Sequence, residues 1–61
     1  MPEMFTVKET AMYLNVPVAT LRWWRAQGTG PPAAKLGKHL RYDKDELDQW
    51  IAEQKRKENG S

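Results

Sequence analysis

Val16-Pro17-Val18-Ala19-Thr20-Leu21-Arg22-Trp23-Trp24-Arg25 is the stretch that decides the fold. Pro17 breaks a helix interior, but its fixed φ and missing N–H suit a helix start. The spacing therefore predicts a helix that opens near Pro17 or Val18 and closes at Gly28. With a step of about 100° per residue, Val18 and Trp24 lie within about 60° of Leu21 and share one apolar stripe with it. Arg22, Ala19, Trp23 and Ala26 then point sideways or outward. An exposed tryptophan beside an arginine is an unusual surface for a small protein, and it marks a face built to meet a partner.

On the N-terminal side, Thr6 and Glu9 are spaced as a capping box and predict a helix start after Phe5. Val7, Ala11 and Leu14 follow at i, i+4 and i+7, so that helix buries one face and runs to about Leu14. Asn15 suits the left-handed position after a helix end. Two short helices joined by so tight a turn make a helix-turn-helix.

On the C-terminal side, Gly28-Thr29-Gly30-Pro31-Pro32 stops the helix and extends the chain. Residues 33–42 read as a hairpin around Gly37. A two-residue turn at Gly37-Lys38 would pair Leu36 with His39. A three-residue turn, Gly37-Lys38-His39, pairs Leu36 with Leu40 and Lys35 with Arg41. The second keeps the leucines on one face and is the preferred register, with Lys35 and Arg41 on the outer face and Lys38 and His39 at the tip. Asp43 and Glu46 fit another capping box, and Leu47, Trp50 and Ile51 recur at i, i+3 and i+4 on a last helix. The expected core is Leu14, Leu21, Trp24, Leu36, Leu40, Leu47, Trp50 and Ile51. The fold class is thus mainly α with a small β-hairpin, a winged helix-turn-helix. Residues 1–4 are expected to be a loose lead, 5–54 the domain, and 55–61 a polar, disordered tail without an apolar residue.

Sixty-one residues make one small domain whose stability is marginal. Without cysteine there is no disulfide and no thiolate ligand. No apolar run is long enough to span a membrane, and no signal-peptide pattern is present. The net charge is +2. Between Thr10 and Tyr42, however, the chain has no acidic residue and carries Arg22, Arg25, Lys35, Lys38 and Arg41. A basic middle between acidic flanks points to a polyanion, most simply nucleic acid. Catalysis finds few parts: the sole serine is Ser61, the sole histidine is His39 at a turn, and the carboxylates cluster at helix starts, where capping explains them. A non-enzyme without cofactor or metal is expected.

An α-helix fits the major groove of duplex DNA. On this reading Arg22 reaches a guanine edge or a phosphate, Trp23 packs on the sugar-phosphate backbone, and Thr20 flanks them. Arg25 lays its stem on the core and extends its guanidinium outward. Lys35, Lys38, His39 and Arg41 make a basic wing that also serves phosphate contact.

Phe5-Thr6-Val7-Lys8-Glu9, Tyr13-Leu14-Asn15-Val16, Thr20-Leu21-Arg22-Trp23-Trp24, Lys35-Leu36-Gly37-Lys38, Leu40-Arg41-Tyr42 and Leu47-Asp48-Gln49-Trp50-Ile51, in this order and spacing, resemble the small winged-helix proteins of the excisionase type. The DNA-binding domain of those proteins is similar to that of MerR-type regulators. The resemblance spans about residues 5–52. It implies that the second helix enters the major groove through Arg22 and Trp23, with Val18 and Ala19 facing the groove at the helix start. The wing, through Lys38, His39 and Arg41, would touch adjacent backbone or minor groove. Asn15 stands where glycine is common and Pro17 where a capping Ser or Thr is common; Pro17 removes a side-chain phosphate contact.

The resemblance further implies an architectural factor that bends attachment-site DNA of a phage or mobile element and promotes integrase-mediated excision. Its partners would be double-stranded DNA and an integrase, with cooperative self-association on DNA, in the cytoplasm of a bacterial host. The sequence ends at Ser61 without the long dimerisation helix and effector domain of a MerR-type factor, which favours the excisionase expectation. A small transcriptional repressor of the same fold is the alternative. A protein-interaction module anchored by Trp23 is a third.

Overall fold

The computed structural model describes residues 3–59 of the chain. In order they form β1 (Met4–Phe5), α1 (Val7–Leu14), α2 (Val18–Gln27), β2 (Ala34–Leu36), β3 (His39–Asp43) and α3 (Lys44–Asn59). The strands make one antiparallel sheet in the order β1-β3-β2. Three helices with this small sheet make a winged helix-turn-helix.

Local chemistry sets the helix ends. Thr6 Oγ1 accepts the Glu9 N–H at 3.0 Å, and Glu9 Oε1 accepts the Thr6 N–H at 2.9 Å, so the capping box is complete. Thr10, fully buried, satisfies its hydroxyl by donating to the Thr6 carbonyl at 2.8 Å. At the other end Asn15 takes φ 59°. The Asn15 N–H then bonds the Met12 carbonyl at 3.2 Å, and the Val16 N–H bonds that of Ala11 at 2.9 Å. Pro17 follows in extended backbone and caps α2 without a side-chain bond. Gly28, at φ 77°, closes α2 with the same pair of bonds: Gly28 N–H to Arg25 O and Thr29 N–H to Trp24 O. Asp43 Oδ1 accepts the N–H groups of Asp45 at 2.8 Å and Glu46 at 3.4 Å to start α3.

The buried centre takes one apolar residue from each of four elements: Ala11 of α1, Leu21 of α2, Tyr42 of β3 and Leu47 of α3. Phe5, Val7, Leu14, Val18 and Trp24 pack around them, half-buried. The Trp24 and Trp50 rings meet at 5.6 Å between centroids. Leu40, Trp50 and Ile51 are also half-buried. α1 is tied to α3 by the Tyr13 hydroxyl, which donates to Asp48 Oδ1, while Lys44 Nζ lies 3.0 Å from Asp48 Oδ2.

The structure differs from the expectations in the hairpin and at both ends of the domain. The hairpin turn has two residues, Gly37 and Lys38, so Leu36 pairs with His39, Lys35 with Leu40, and Ala34 with Arg41. Gly37 has φ 64° at the first central position, where a II′ hairpin turn takes glycine and where its twist matches the strands. Shifting the pairing by one residue exchanges faces. Leu36 therefore lies on the sheet face opposite Leu40 and Tyr42 and is 54% exposed, not a core residue. Lys35 and Arg41 for the same reason do not share a face.

The N-terminal lead is ordered from Glu3. Met4 pairs with Asp43 and Phe5 with Tyr42, and Glu3 O accepts the Lys44 N–H at 2.9 Å. A third strand thus covers the inner edge of β3. At the far end α3 continues through Asn59, past the expected end at Gln54. Lys55, Arg56, Lys57 and Glu58 are good helix formers, and the cations of the last turn favour the negative helix end. The remainder of the expected tail, residues 60 and 61, and residues 1 and 2 of the lead lie outside the described residues.

Candidate nucleic-acid interface

The helix-turn-helix and the wing enclose a cleft of about 580 Å³. Thr6, Val7 and Lys8 at the start of α1 form one side. Arg22, Arg25 and Ala26 form the second, because i, i+3 and i+4 stack on one face of α2. The wing supplies the third through Lys38, His39, Leu40 and Arg41. The Gly37-Lys38 turn is short enough to carry Lys38 at the tip over the helices.

Five cations, Lys8, Arg22, Arg25, Lys38 and Arg41, line this cleft, and no carboxylate does. Glu9, the nearest acid in sequence to Lys8, is folded back on the Thr6 N–H. Among the described residues the Lys44–Asp48 ion pair belongs to α3, and the cleft cations enter no salt bridge. Arg41 Nη1 donates to the Leu40 carbonyl at 2.8 Å, which anchors its guanidinium beside the strand. Burial pushes the Tyr42 hydroxyl pKa up, and the Arg25 charge pulls it down. Like charges gathered on a concave surface without counter-charges create a field that attracts anions. Guanidinium and ammonium donors at this density suit phosphate oxygens.

The expected site residues divide into groups. Arg22, Arg25, Lys38, His39 and Arg41 come together in the cleft. Ala19 is exposed on the outer face of α2, and Thr20 is half-buried. Val18 packs its side chain against the core. Trp23 is 59% exposed but does not line the cleft. Lys35, exposed on β2, does not line it either. Lys8 takes the place in the cleft that the charge pattern gave to Lys35. The hint in the sequence was its position two residues after the Thr6 cap, where a first-turn side chain projects beside the helix start.

Among the described residues no three His, Asp or Glu side chains group as metal ligands. No described helix is long and apolar enough to cross a membrane. Residues 4–55 match the family model described as a helix-turn-helix domain. No curated protein matches the chain.

Proposed function

The chain belongs to the helix-turn-helix domain family, and from that premise we propose that it binds double-stranded DNA sequence-specifically, as an excisionase-type architectural factor. The observation that carries the DNA reading is the acid-free cleft of five cations between α2 and the wing. α2 lies in the major groove, with Arg22 on a base edge or phosphate and the Ala19 methyl able to meet a thymine methyl. The wing, through Lys38, His39 and Arg41, takes the neighbouring backbone or minor groove. A helix in the major groove has a DNA strand on either side. Arg22 and Arg25 face the strand on the cleft side, and Trp23, exposed outside the cleft, packs along the sugar-phosphate backbone.

The excisionase role draws its support from the resemblance of residues 5–52 in motif order and spacing. In that role the protein bends attachment-site DNA and assists an integrase, with neighbouring copies binding cooperatively.

Gel-shift titrations across salt test the DNA reading. With one phosphate neutralised by each cleft cation, log Kd should change with log salt by a slope of magnitude about 4.5. Arg22→Ala should lose sequence preference by about 1–3 kcal/mol while the domain stays folded by circular dichroism. A salt-independent shift, or no shift at low salt, contradicts the DNA reading. Footprinting on attachment-site DNA, with an excision assay beside it, tests the finer role. Promoter repression with excision unaffected would replace it by a repressor.

A further inference from the structure

We propose that Lys8 is a DNA phosphate contact, so that α1 joins α2 and the wing in holding one strand of the duplex; this rests on the DNA reading above. Lys8 lines the cleft with Arg22, Arg25, Lys38 and Arg41, although Arg22, the next cation of the set in sequence, stands 14 positions further along. Its side chain is exposed and has no carboxylate partner among the described residues; the adjacent Glu9 is engaged in the cap. A cation held at a cleft wall without a counter-charge is destabilised by its neighbours until an anion arrives. The first turn of α1 adds to the attraction. Val7 and Lys8 occupy the first helical positions, whose N–H groups have no acceptor within the helix.

The chemistry fits a phosphate better than a base. Lysine is a point charge on a flexible stem, without the planar fork that reads guanine. Arg22 stands on α2, the helix proposed for the groove, whereas Lys8 belongs to the first turn of α1 and forms a different wall of the same cleft, where a backbone would pass. The strand thus runs between α1 and α2 on one side and the wing tip on the other. Lys8 contributes affinity that is independent of sequence, while Arg22 contributes discrimination. Lys35, the cation on β2, stands outside this path.

The test compares the wild type, Lys8→Gln and Lys8→Arg on a random-sequence DNA duplex of fixed length across a salt series. Lys8→Gln should weaken binding about three- to tenfold near physiological salt and reduce the magnitude of the log–log slope by about 0.9, the value of one phosphate contact. Lys8→Arg should restore both. Thermal unfolding midpoints should coincide, since the side chain is exposed. A slope and affinity in Lys8→Gln equal to those of the wild type overturn this assignment and leave the DNA reading intact. Loss in Lys8→Arg equal to that in Lys8→Gln overturns the role of charge. A wild type that binds no duplex at low salt overturns the DNA reading, and this assignment with it.

Discussion

Gly30 shows how much one residue decides. Its φ of 82° belongs to the left-handed region, and a Cβ built there would stand 2.9 Å from Trp24 Cβ and 3.2 Å from Trp24 Cε3. Only hydrogen leaves room for the tryptophan against the chain that leads to the wing. Gly30→Ala is expected to destabilise the domain by about 1–3 kcal/mol, from backbone strain plus displacement of Trp24. Urea unfolding followed by tryptophan fluorescence measures it; an unchanged midpoint would show that the chain relaxes freely there. As sequence, Gly30 read only as a helix stop. Thr6, Asn15, Pro17 and Gly28, by contrast, were legible, because a cap or a left-handed residue acts on neighbours three or four residues away. Leu36 was misread because its burial depends on which residue faces it across the hairpin.

Between elements, a polar tie joins α1 to α3 beside their apolar packing. The Tyr13 hydroxyl and the Lys44 ammonium both donate to Asp48, and together they hold its carboxyl below the ordinary 3.8. The hydroxyl is the larger cause. A carboxyl whose folded pKa is depressed takes up its proton more readily in the unfolded chain. The contact therefore contributes stability above the ordinary carboxylate range and loses it as pH falls through the folded value. An NMR titration should place the Asp48 midpoint below 3.8 in the wild type and nearer 3.8 in Tyr13→Phe. Identical midpoints in the two proteins would rule out the hydroxyl as the main cause. No periodicity could have announced this contact, since Tyr13 and Asp48 are 35 residues apart. The edge-to-face contact of Phe5 and Tyr13, at 5.2 Å, positions the ring that makes it.

At the scale of the molecule the fold has little to spare. A chain of this length commands roughly 3–9 kcal/mol in total. Leu47 is completely buried at the junction of α3 with α1, α2 and β3. Leu47→Ala should cost about 2–5 kcal/mol, a large part of the whole, and lower the thermal midpoint steeply or unfold the domain. A Leu47→Ala protein that melts with the wild type would show that α3 is not part of the cooperative core. Leu47→Met conserves volume and should stay folded. The same small size explains the third strand. Pairing Met4 and Phe5 with β3 covers Tyr42 and protects an edge that a two-stranded wing would leave open.

The sequence by itself determined the helices, their caps, the tight turn between them, the wing and the excess of positive charge. Each of these is set by residues close together in the chain or by simple composition. Only the tertiary structure decided which cations share a cleft. Lys8 entered it and Lys35 left it, because hairpin register and the packing of α1 on α2 are fixed by contacts between distant residues. It also left Trp23 exposed on α2 outside the cleft. Helical angles alone could not show this, because the cleft exists only once the wing has folded back against the helices.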